Sequence, residues 1–356
     1  MRYKPDWPEA RERLTALWEG RCMDRPCIAV RAPSGTKATV PEPETPEQKW
    51  LDPDWNVQAA LAQIENTWWG GEAIPSYLLL AGWVLCLGGT PLFDMETIWH
   101  KPRSVDFTKP PPFKSETEDP WARQFGACYS ALAEAAGKDD FLVGQPCLLP
   151  ANDLLSSLMG PERFLTGLID EPQWMADAIV QGARSQAAAQ KHFCALIAGR
   201  HDFWYGHAGW MPFWAPEQYG GTQSDCSCML SPEMFDRFIV PELDVYAHEC
   251  GAIWYHLDGA DARQHVPTLL SLPCLRVMQY TPAPCEPPNG PEHLDLYREI
   301  QAAGKIVHVD VPAENVEPLV KGLDPALLML QAACHTIDEG EELLAAARRW
   351  MGSRKS

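Results

Sequence analysis

Three groupings in this chain combine residue types and spacings that can do chemistry. The first is His256-Leu257-Asp258-Gly259, at the end of an apolar run. Side chains alternate along a strand, so positions 256 and 258 share a face. A neutral imidazole and a carboxylate so placed make half of a zinc site. Cys334, at the end of a late apolar run, would add a thiolate and leave one position open for substrate. The same spacing also suits an interior, hydrogen-bonded His256 with Asp258 capping the next helix. His335 alternates away and is the weaker ligand.

The second grouping is Asp225-Cys226-Ser227-Cys228. Asp225 is a candidate general base or substrate-orienting carboxylate. Cys226 and Cys228 form a C-x-C with no second pair to complete a soft-metal site. The third is aromatic: Trp204, Tyr205, Trp210, Phe213 and Trp214 crowd around His207 among Gly and Pro. A run broken in this way, without helical or strand period, reads as a loop. It would wall a pocket for an aromatic ring, a macrocycle face or a methylated cation, or anchor itself to the core. Trp68 and Trp69 read as helix-face packing.

Positioning these groups requires a scaffold. Apolar or β-branched runs predict strands at 27–32, 141–147, 253–258, 275–281, 305–311 and 326–332, with weaker ones at 222–227 and 74–80. Helical periodicity lies at 161–169, 172–192, 232–250, 291–303, 314–322 and 338–350. Ser231 stands as N-cap before Pro232, and Gly304 as a helix stop. From residue 250 onward strands and helices alternate, the signature of parallel βαβ units. About eight strands in one 1–356 domain predict an α/β fold, a (β/α)8 TIM barrel with long early βα loops at 34–53 and 101–121. Active sites of such barrels lie at the C-terminal strand ends. Those positions hold Arg31, Gln145, Asp225, His256, Asp258, Gln279, Tyr280, His308, Asp310, Cys334 and His335. Arg31 is the cation placed to meet an anionic substrate group. Gln145, Gln279 and Tyr280 are candidate substrate contacts.

Composition excludes several classes. The 356 residues carry 29 Lys plus Arg against 48 Asp plus Glu, a net charge of −19. An acidic field repels nucleic acid and anionic lipid. The longest apolar stretch, 77–87, is far short of the ~20 residues of a membrane span. The N-terminus lacks the apolar core of a signal peptide. A cytoplasmic location is the expectation, with most of the 12 Cys as buried reduced thiols. No Gly-rich nucleotide loop follows a strand.

Several segments together resemble the uroporphyrinogen decarboxylase superfamily: RLTALWEGRCMDRPCIAVRAP, FLVGQPCLLPANDLLSSLMGPERFLTGLIDEP, QSDCSCMLSPEMFDRFIVPEL, HLDG and LLMLQAACHTIDEGEELL. The resemblance spans nearly the whole chain and implies a single (β/α)8 barrel. Its decarboxylase branch carries two Arg four apart after the first strand; here Arg31 is followed four on by Gly35. Its corrinoid-linked methyltransferase branch holds zinc on His-x-Cys and a distant Cys. His256 matches that His, Cys334 the distant Cys, and Asp258 stands at the nearer Cys.

The leading expectation is therefore an enzyme of anaerobic corrinoid metabolism. Zinc on His256, Asp258 and Cys334 would assist methyl transfer between a small substrate and a corrinoid (cobalamin) on a partner protein. Asp225 would orient substrate. Trp204, His207, Trp210 and Trp214 would wall the pocket. The rivals are a metal-independent lyase decarboxylating a porphyrinogen-like or other carboxylated substrate, and a corrinoid- or tetrapyrrole-binding protein without turnover.

Overall fold

The computed structural model describes residues 1–137, 140–197, 204–208 and 211–353. It is an α/β fold around a mostly parallel seven-stranded sheet. The sheet runs in the order Thr67–Gly71, Cys27–Pro33, Leu328–Ala333, Ile306–Asp310, Leu275–Thr281, Ala252–Asp258, Tyr219–Gln223. All neighbours are parallel except Thr67–Gly71, which lies antiparallel on the first strand. A second ladder pairs Ser76–Tyr77 with Leu142–Val143, also parallel.

The sheet is covered on both faces, so its strands read as continuous apolar runs rather than alternating ones. One face carries Ala29, Trp254, Val277, Ile306 and Met329. These pack with Trp7, Leu14 and Trp18 of the N-terminal helix, Trp7–Trp18. The other carries Val30, Tyr255, Met278, Val307 and Leu330 against the later helices. Fully burying one of these large apolar side chains contributes about 1.5–3 kcal/mol.

Several expectations shift. The strand expected at 141–147 shortens to Leu142–Val143, and that at 222–227 moves to Tyr219–Gln223. Asp225–Met229 is instead a short 3-10 turn. The helix expected over 232–250 is two, Pro232–Phe238 and Val240–Cys250. Pro241 forces the break, because its ring lacks an N–H and clashes with the preceding turn. The Ser231 cap is present: its side chain accepts from the Met234 N–H. Trp68 and Trp69 lie on the strand Thr67–Gly71, not on a helix. The aromatic run is not a loop either. Trp204–Ala208 pairs antiparallel with Met211–Ala215, and dense aromatic residues suit a pleated surface. Among the described residues, no helix is long and apolar enough to cross a membrane.

Candidate functional site

The strand Tyr219–Gln223 ends at Gln223, whose side-chain amide meets two carboxyls at once. It donates to Asp153 Oδ2 at 3.2 Å and to Asp225 Oδ1 at 2.7 Å. Asp153 sits in the first turn of the helix Ala151–Met159, and its Oδ1 accepts the Asp225 N–H at 2.9 Å. Burial pushes the Asp153 carboxyl well up, and the nearby Asp225 charge adds to this. Burial, then the Asp258 charge, pushes Asp225 up to about 6. Asp153 is half-buried and Asp225 exposed at the strand end, and their neighbouring like charges disfavour joint ionisation, so the pair favours holding a proton.

That helix start is itself held from a distance. Glu242, fully buried on Val240–Cys250, accepts the Ala151 N–H at 2.6 Å, the Asn152 N–H at 3.2 Å and Asn152 Nδ2 at 2.9 Å. Burial pushes its carboxyl up to about 7, against the pull of these donors. From the other side, His265 grips the turn Asp225–Met229: its Nε2 lies 2.8 Å from the Ser227 carbonyl oxygen, and its ring stacks on Phe235.

The next strand brings His256 and Asp258 to the same end. Gly259 takes φ 73°, a turn that favours glycine, and its N–H bonds to the Thr281 carbonyl. His256 is buried, and burial lowers its proton affinity. Its Nδ1 bonds to Gln279 Oε1, and the Gln279 amide donates to Thr281 Oγ1 at 3.0 Å. Nδ1 thus carries the proton and Nε2 is the basic nitrogen, 4.0 Å from Asp258 Oδ1. Gln279, Thr281 and Asp310 line an adjoining open cleft of about 620 Å³. Burial raises the Asp310 carboxyl and the Arg31 charge lowers it. Arg31 Nη2 lies 3.4 Å from Gln331 Oε1.

The expected site residues divide. Asp225, His256, Asp258 and Gln279 gather at the strand ends, with Arg31 beside Asp310. Tyr280 alternates to the helix-covered face, where its hydroxyl meets Glu286 and Arg263. Gln145 lies at a small cavity that Gln223 also lines, bonded through Oε1 to Gln190. Trp214 is buried edge-on against Trp7, and it lines a narrow pocket with Arg31. Trp204 and His207 fall on the strand Trp204–Ala208; Trp210 lies outside the described residues.

Cys334 does not join His256. On Leu328–Ala333 the side chains of 329 and 331 share the sheet face packed by the N-terminal helix, and 328, 330 and 332 the face packed by the later helices. Cys334 continues the second set, packing against that helix-side core and lining a different cleft with the final helix, Ile337–Ser353. Burial raises its thiol, and pushes that of Cys226 up to about 12. Among the described residues, no three His, Cys, Asp or Glu side chains gather in a way that could hold a metal ion. The expected His256–Asp258–Cys334 set therefore does not fit zinc. Asp153 was missed because nothing in PANDLL marks it except a helix start, and its partners lie about seventy residues away. No family model and no curated protein matches this chain.

Proposed function

We propose that the chain is an acid–base lyase that decarboxylates a small carboxylated substrate, with Asp225 as the proton-carrying group. The observation that supports the reading is the Asp153–Asp225 pair, joined through Gln223 and titrating near neutrality at Asp225. Catalytic acids are most effective when they titrate near the working pH. Arg31 supplies the anion contact, and the His256–Gln279 pair orients the substrate. In the reaction the C–CO2 bond breaks, its electron pair stays on carbon, and CO2 leaves. The carbon then takes the proton of the Asp225 carboxyl, which is restored from solvent.

The scaffold we infer is a (β/α)8 barrel. In support, the first parallel strand pairs with the last, and eight strands run parallel in two ladders of six and two. A second reading is methyl transfer between a small substrate and a corrinoid on a partner protein. It draws on the His256–Asp258 approach alone.

Incubated in D2O with a panel of carboxylic acids that includes uroporphyrinogen, the chain is expected to release CO2 and leave deuterium on the carbon that bore the carboxyl. Asp225→Asn should slow this by about 10²–10⁴-fold. The wild-type rate should fall as pH rises past about 6, where Asp225 loses its proton. A rate indifferent to pH across that value, or an unimpaired Asn variant, would sink the assignment.

A further inference from the structure

A second polar feature lies where the two ladders are not hydrogen-bonded to each other, between Leu142–Val143 and Tyr219–Gln223. A cavity of about 20 Å³ there is lined by Trp83, Gln145, Gln190, Thr222 and Gln223, among others. Three buried polar atoms of these residues have no hydrogen-bond partner among the described residues: Trp83 Nε1, Gln145 Nε2 and Thr222 Oγ1. Gln145 and Thr222 are only 5% and 4% exposed. Buried polar groups are nearly always paired, and three orphans around one cavity need an explanation.

Their chemistry is one-sided. The indole N–H can only donate. The Gln145 carbonyl oxygen is occupied by Gln190 Nε2 at 2.8 Å, which leaves the amide hydrogens as the unused side. The Thr222 hydroxyl can donate as well. What satisfies all three is an acceptor oxygen. The volume admits about one oxygen-sized group, because a single water needs roughly 10–15 Å³. Gln223 lines the same cavity, and its amide holds Asp153 and Asp225.

We propose that this cavity is a subsite for an acceptor oxygen of a bound ligand, a carboxylate or carbonyl, held by Trp83, Gln145 and Thr222 beside the acid pair. The subsite stands on the orphaned donors; only its role in presenting substrate to Asp225 rests on the lyase reading. A neutral donor set accepts either oxygen chemistry without adding charge to an already acidic neighbourhood.

The test follows the Trp83 indole cross-peak in tryptophan-labelled protein, assigned by its loss in Trp83→Phe, during titration with acetate in one arm and acetone in the other. The expected result is a saturable shift in at least one arm, weakened about tenfold or more in Gln145→Leu and in Thr222→Val. Acetate alone identifies a carboxylate; acetone, alone or with acetate, identifies a carbonyl-type acceptor. Two variants guard against loss of fold, and circular dichroism checks each. No saturable shift in either arm, or equal shifts in folded variants, would overturn the subsite and leave a resident water as the partner of these donors. Asp225→Asn should leave this binding intact. Failure of the lyase reading and failure of the subsite therefore give different results.

Discussion

His308 shows how far burial governs a single side chain here. It lies on the face of Ile306–Asp310 shared with Ile306, fully enclosed, and burial alone holds its imidazole down to about 3. The Trp254 indole N–H donates to its Nδ1 at 3.0 Å, which requires a lone pair on that nitrogen. Between about pH 6.5 and 3 the unfolded chain binds a proton that the folded chain refuses. Stability is fully present above that window and is lost as pH falls through it. From pH 6.5 down to about 4.5 the loss from this one group is roughly 3 kcal/mol. Urea denaturation at pH 7 and at about pH 4.5 should show a shallower loss in His308→Gln. Equal losses in both proteins would contradict this account. The sequence placed His308 at a strand end; it carried no sign that the ring would be sealed in the interior rather than open to a site.

Helices position the acid pair, and Glu242 is the clearest case. One helix presents its carboxyl to the buried N–H groups at the start of another, Ala151–Met159, which have no partner within their own helix. The sign of its pH effect is opposite to that of His308. Burial raises Glu242 from 4.5 to about 7, so the folded chain keeps a proton that the unfolded chain has lost. Its contribution to stability therefore declines as pH rises from about 4.5 to 7, by roughly 3 kcal/mol in all. In Glu242→Gln that decline should be absent from urea-unfolding free energies measured at about pH 5 and 8; an undiminished slope would refute it. The Ser231 cap and the Gly304 stop were legible locally, and both are present, Gly304 with φ 73°. The trans cap by Glu242 joins segments about ninety residues apart, beyond any local pattern.

Across the whole molecule, strand alternation works against the expected zinc set. A zinc site on His256, Asp258 and Cys334 requires Cys334 on the same sheet face as His256. The last strand puts it on the opposite face, and among the described residues no third donor joins the half-site at His256. Elemental analysis of purified protein is expected to find no stoichiometric zinc. Treatment with a chelator is expected to leave the unfolding midpoint unchanged. One zinc per chain, lost in His256→Ala, would instead favour methyl transfer and overturn the acid–base reading.

Local sequence carried the alternation of strands and helices from residue 250 onward, the parallel pairing and the residues at most strand ends, but not the earlier elements Trp7–Trp18, Thr67–Gly71 or Ala151–Met159. The features it carried follow from local periodicity, turn residues and hydrophobic runs, which act over a few positions. Long-range packing set Asp153 against Asp225, turned Cys334 away from His256 and folded the aromatic run into a hairpin. It also decided that two orphaned donors and a hydroxyl ring one cavity. Proton affinity and ligand geometry depend on burial and on neighbours brought together from distant segments, and no local pattern encodes either.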